Sequence, residues 1–236
     1  DATPHRYHLM IVGLDAYVNG ARPLNGCVND AEAVAALLMR HGVSEQAVKE
    51  GLFLAPRDGR TVSLPFRAPT RENLIARLKE LAALAEPGDH VWIYYSGHGS
   101  QCYHPDPKSS AMFEALVPVD FTDKGENLLY DFELARLLKE IGRGKTVDSV
   151  TIILDCCNSA GATKNLPPRG SAASEPSAER FVTLSQDVQA QLRLPVVSAD
   201  EPTGIAGIAA KLLGEPTLIA ACHADERARE DAATGT

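Results

Sequence analysis

Two short polar motifs hold the residue types that thiol chemistry needs: Ser96-Gly97-His98-Gly99 and Asp155-Cys156-Cys157. A cysteine attacks as its thiolate, and an imidazole within reach is the usual base that generates it. The glycines beside His98 permit a tight, exposed turn and close approach of a substrate backbone. Taken singly, each motif is ambiguous, because a histidine between glycines can be structural and buried cysteines often only pack. Their positions add weight. Each follows an apolar run that reads as a buried strand, His90–Tyr95 (HVWIYY) and Val150–Leu154 (VTIIL).

The other elements explain how two such motifs meet. Tyr7–Gly13 reads as a strand, Leu14–Asn29 as a Gly/Asn/Pro-rich loop, and Asp30 as a cap for a helix with Ala31, Val34, Ala35, Leu37 and Leu38 inward, stopped at Gly42. Leu52–Leu54 is a second short strand. Thr70 caps a helix over Arg71–Ala85, ended by Pro87-Gly88. Ala115–Val119 is a short apolar run, Asp131–Ile141 a helix and Thr217–Cys222 a last strand. Strands alternating with helices imply an α/β fold with a mainly parallel sheet covered on both faces. Functional groups in such sheets gather beyond the carboxyl ends of the strands, which places His98 and Cys157 on one rim.

Composition narrows the classes. With 236 residues, a net charge of −8 and a pI near 5.4, the chain lacks the basic face that nucleic acid or an anionic membrane requires, so neither is expected as a partner. No apolar run approaches the about 18 residues that span a bilayer, and no signal-peptide pattern opens the chain. Five cysteines, Cys27, Cys102, Cys156, Cys157 and Cys222, fit neither a disulfide scaffold nor paired zinc knuckles. A reducing, cytoplasmic location is the expectation.

The ordered segments PLNGCVNDA (Pro23–Ala31), YYSGHGSQ, ALVPVDF, ILDCCNSAG and LIAACHADE resemble the metacaspase and bacterial caspase-homologue group over most of the chain, from about Tyr7 to Glu226. The resemblance implies a caspase-like three-layer sandwich and a cysteine endopeptidase cutting after Arg or Lys through an acyl-enzyme. It implies His98 as base, Cys157 as nucleophile, backbone N–H groups of Gly99 and Cys157 as the oxyanion hole, and Asp30, Ser96 and Asp155 around the basic side chain. Two carboxylates in a partly enclosed pocket favour a cation, so the preference is physically coherent. It further implies one domain over 1–236, with a large-subunit-like part to residue 162, a linker or mobile region over 163–216, and a truncated start of a small-subunit-like part over 217–236. A monomer is the expected state.

Three departures bear on this. Asn158-Ser159-Ala160 replaces the family's usual His-Ser-Gly after the cysteine, with Gly161 one place later. Lys164, and Tyr130-Asp131 in place of an acidic pair, weaken the calcium site many members have, because a hard cation needs several oxygen ligands. No cofactor or metal is therefore expected. The sequence also ends soon after LIAACHADE, where the family's last strand and helix follow.

Other features suggest alternatives. Lys164, Arg169 and Arg180 in the Pro/Ser/Ala/Gly-rich stretch are candidate self-processing sites or ordinary surface charges. Cys102 with His104 could contribute to a metal site, adjacent Cys156 and Cys157 could be redox active, and Cys27 and Cys222 read as packing residues. A caspase-like interaction module without turnover is the second functional class. A different thiol enzyme, such as an acyltransferase, is the third.

Overall fold

Apolar at nearly every position, β1 (Tyr7–Leu14) is buried on both faces. Leu9 and Ile11 serve one hydrophobic cluster and Met10 and Val12 another. The computed structural model describes residues 6–19, 21–103, 112–142, 149–156, 180–192, 194 and 217–220. Within them, β2 (Leu52–Ala55), β1, β3 (His90–Ser96), β7 (Ser149–Asp155) and β9 (Thr217–Ala220) form a sheet in that order, parallel at every pairing.

Helices cover both faces. α1 (Cys27–Arg40) and α2 (Glu45–Gly51) bring Val28, Ala31, Ala35, Leu38 and Val48 against Leu9, Ile11 and Leu52. On the other side α3 (Arg71–Leu84) and α4 (Asp131–Gly142) pack Leu74, Leu78, Leu81, Leu134 and Leu138 against Met10, Val12, Ile93 and Ile152. The result is a three-layer α/β sandwich with a parallel central sheet. Local chemistry fixes the helix starts: the Thr70 hydroxyl accepts from the Asn73 N–H, and Ser44 accepts from Ala47. Asp30 is not a cap, contrary to the expectation. α1 begins at Cys27 with Gly26 at the capping position, which leaves Asp30 in the first turn with its carboxylate available to the site.

A smaller sheet leans on the strand exits, in the order β6 (Leu129–Tyr130), β5 (Met112–Leu116), β4 (Gly99–Tyr103), β8 (Phe181–Thr183). β4 and β5 are antiparallel, whereas β8 runs parallel to β4. The strand lies at Met112–Leu116 rather than along the apolar run Ala115–Val119. Part of the stretch read as linker, 163–216, is folded: it holds β8 and α5 (Gln186–Gln191), started by Ser185, whose hydroxyl accepts from Val188.

A buried, hydrogen-bonded carboxylate closes the start of the sheet. Asp89 accepts from the Arg6 and Glu86 N–H groups and from His8 Nε2 at 2.8 Å. Burial pushes its carboxyl pKa up, but the bonds from His8, Glu86 and Arg6 outweigh this and hold it at about 2 against an ordinary 3.8. A depressed carboxyl pKa stabilises the fold above the ordinary carboxylate range, and that gain is lost as pH falls towards the folded value. Asp89→Ala should therefore cost about 2 kcal/mol at pH 7. The gap in urea midpoint between the variant and the parent should shrink below about pH 4.

Candidate active site

β3 and β7 are neighbours in register, with Ser96 opposite Asp155. Adjacent strands lie about 4.8 Å apart, so the chain leaves the sheet side by side at these two residues. The Gly97 N–H donates to the Asp155 carbonyl at 3.4 Å, still holding the two exits together. His98 and Cys157 each follow by two positions. Cys157 lies outside the described residues, as do Lys164, Arg169 and His104. Its neighbour Cys156 is buried in the core beneath the large sheet.

His98 is only 1% exposed, so the turn that carries it is enclosed rather than exposed as expected. Tyr95 holds it from below: its hydroxyl donates to the His98 carbonyl at 2.8 Å. Gly97 sits in a crowded place. A Cβ there would stand 3.0 Å from both Leu14 Cδ1 and the Tyr95 oxygen, and 3.1 Å from the Tyr17 oxygen. The loop after β1 supplies the other side. It is fixed by the Leu24 N–H donating to the Asp15 carbonyl and the Val18 N–H to the Val119 carbonyl. From this loop the Tyr17 hydroxyl accepts the His98 N–H at 2.8 Å, and its ring lies 5.0 Å from the imidazole. Burial raises the Tyr17 phenol pKa well above its ordinary value, so it stays neutral.

The imidazole tautomer follows from its partner. His98 Nε2 is 2.7 Å from the Arg22 carbonyl, which can only accept, so Nε2 carries the proton. In the neutral ring Nδ1 is then the basic nitrogen. Sequence reasoning missed both Tyr17 and the Arg22 carbonyl. Backbone acceptors leave no residue-type signal, and a tyrosine in a glycine-rich loop gives little. Tyr17→Phe removes the acceptor of the His98 N–H at a cost of about 1–2 kcal/mol. It should lower kcat for a peptide substrate by about tenfold.

Asp30, Ser96 and Asp155 converge, and a fourth residue joins them. The Arg180 guanidinium is 2% exposed and lies among them. Nη1 donates to the Asp155 carboxylate, to Ser96 Oγ at 3.1 Å and to the Asp155 carbonyl at 3.3 Å; Nη2 donates to Asp30 Oδ2 at 3.1 Å. Ser96 Oγ also reaches Asp155 Oδ2 at 3.2 Å. Burial raises the Asp30 pKa, the Asp155 charge adds to the rise, and Arg180 offsets part of it. Tyr94 lies beside the same charges, its phenol pKa pushed up by burial, then by Asp155 and Asp30. Arg180 is thus not an ordinary surface charge.

The same residue meets the other half of the site. Its carbonyl accepts the Gly99 N–H at 2.9 Å, the donor read as part of an oxyanion hole. One residue thus has its side chain held by two carboxylates and its carbonyl against a backbone N–H one residue from an imidazole. A family model for the metacaspase peptidase C14 domain matches residues 9–166. The chain belongs to the metacaspase family.

Curated metacaspases agree. Metacaspase-2 of Trypanosoma brucei brucei is 29% identical over 82% of this chain and 54% of its own length. Metacaspase-5 of Trypanosoma cruzi is 32% identical over 67% of this chain and 34% of its own. Metacaspase-1A of Neurospora crassa is 29% identical over 69% and 33%. The chain therefore spans about half or less of the length of these relatives. As a metacaspase it has the fold and family of a C14-type cysteine peptidase.

The remaining candidates fall elsewhere in the metacaspase domain. Cys102 is buried in the cluster under the small sheet, and its thiol pKa is pushed up to about 12 by burial and then by Asp131, which suits packing rather than attack. Cys27 is buried beside Leu24. Asp131, where the family's acidic pair would stand, accepts from the Glu114 and Phe132 N–H groups. Among the described residues no three His, Cys, Asp or Glu side chains are grouped to hold a metal. Nor, among these residues, is any helix long and apolar enough to cross a membrane.

Proposed function

We propose that this metacaspase is an endopeptidase that hydrolyses polypeptides after arginine or lysine, with Cys157 as nucleophile and His98 as base, and without calcium. The observation that carries the reading is Arg180, whose side chain meets Asp30, Ser96 and Asp155 while its carbonyl meets Gly99.

In this reading His98 Nδ1 takes the thiol proton of Cys157, since Nε2–H is committed to the Arg22 carbonyl. The sulfur attacks the carbonyl carbon, and the oxyanion gathers hydrogen bonds from the Gly99 and Cys157 N–H groups. The proton on Nδ1 passes to the leaving amine, the C–N bond breaks, and a thioester remains. Water then attacks the thioester, giving its proton to His98; the C–S bond breaks, the new carboxyl end leaves, and the proton on Nδ1 returns to the sulfur. The specificity has a physical source in two carboxylates below a buried hydroxyl, which bind a guanidinium more strongly than any neutral side chain.

Arg180 is then also a residue after which the chain cuts itself. Mass spectrometry of the purified chain should find a new amino terminus at Phe181, absent from Cys157→Ala. A fluorogenic arginyl peptide should be hydrolysed by the parent, with EGTA leaving the rate unchanged, and a matching aspartyl peptide should not. No hydrolysis of the arginyl peptide, with the Arg180–Phe181 bond intact in the parent, would favour an interaction module that holds its own arginine without turnover.

A further inference from the structure

The residues that follow Arg180 occupy a surface the mechanism does not use. β8 lies along the free side of β4 in parallel register, with Phe181 opposite Gly99, Val182 opposite Ser100 and Thr183 opposite Gln101. Ser100 is fully buried, and its hydroxyl donates to the Val182 carbonyl at 2.8 Å. The segment alternates: Val182 is half-buried, Thr183 exposed and Leu184 3% exposed. Val182 and Leu184 pack with Cys102, Phe113, Phe121 and Tyr130 beneath the small sheet. The Gly99 N–H that meets the Arg180 carbonyl belongs to the first residue of β4. One strand therefore holds both the carbonyl to be attacked and the chain beyond it.

We propose that the edge of β4 is the binding site for the leaving-group side of polypeptide substrates. An extended segment adds to β4 as a parallel strand, and the second and fourth residues after the cut enter the apolar cluster beneath it. Strand addition supplies affinity through the backbone, and alternate side chains supply selectivity. The substrate class is then a polypeptide with Arg or Lys followed by an extended stretch apolar at those two positions. The chain's own 181–184 segment (FVTL) satisfies this pattern. A trans substrate must displace this segment, so the internal strand also sets how strongly a substrate has to bind. The inference rests on the proposed peptidase reading.

The test compares two peptides identical through the arginine. One continues Phe-Val-Thr-Leu and the other Phe-Asp-Thr-Asp, and an arginyl amide reporter with no residue of that kind serves as reference. The enzymes are the parent chain and an Arg180→Ala/Leu184→Asp variant, in which the internal segment is loosened. The expected result is a kcat/KM at least about tenfold higher for the apolar peptide, the scale set by burying one leucine. The preference should appear in both proteins, since internal competition lowers both peptides alike, so a poorly folding variant does not remove the readout. Equal rates for the two peptides, or cleavage of the reporter with neither peptide cut, would overturn the docking edge while leaving the peptidase reading intact. Failure to cleave the reporter at all would remove the peptidase reading, and this inference with it.

Discussion

His98→Ala should lower kcat for an arginyl peptide by about 10²–10⁴-fold, the range for losing a positioned general base. The imidazole is enclosed, its Nε2–H is held by the Arg22 carbonyl, and its backbone is pinned by Tyr17 and Tyr95. Such a ring has Nδ1 as its basic nitrogen and little freedom to misplace it. His98→Gln separates base from scaffold. Its amide can donate to the Arg22 carbonyl, so the fold is retained, but it cannot accept a thiol proton near neutrality. The account expects the glutamine variant to be as inactive as the alanine variant and closer to the parent in urea midpoint. Activity close to the parent in His98→Gln would show that the imidazole only packs.

The second large effect concerns the buried charges. Asp155→Ala should destabilise the uncut chain by about 3 kcal/mol, because it leaves the Arg180 guanidinium buried with Asp30 as its remaining carboxylate. Adding Arg180→Ala should return much of that loss, since the pair then disappears together, and a double-mutant cycle reads the coupling directly. The same Asp155→Ala change should reduce kcat/KM for arginyl substrates by about 10²-fold or more. Acid should act in the same direction. With its pKa raised by burial, Asp30 becomes neutral at a higher pH than an ordinary carboxylate, so KM for a basic substrate should climb early on the acid side.

The parts legible in the sequence are those that local patterns encode. β1, β3 and β7 are continuous apolar runs because both faces of the sheet are covered. Thr70 announces α3, and the strand exits identify the rim on which His98 and Asp155 stand. What escaped depends on contacts distant in the chain. β4 contains Gly, Ser and Gln and has no strand-like run; it is a strand because β5 and β8 pair with it. Asp30 looks like a cap because a helix follows, yet the helix starts three residues earlier, at Cys27. Arg180 ends a stretch whose Pro, Ser, Ala and Gly content reads as linker, and one of its carboxylate partners, Asp30, lies 150 residues away. No window around Arg180 could have disclosed a buried role.

The most direct measurement is covalent labelling of the chain by an arginyl electrophilic ketone, followed by peptide mapping of the modified sulfur. The account predicts a single thioether at Cys157, strongly reduced in Asp155→Ala and in His98→Gln. Label at Cys27, Cys102 or Cys156, or label at Cys157 that ignores both substitutions, would contradict it.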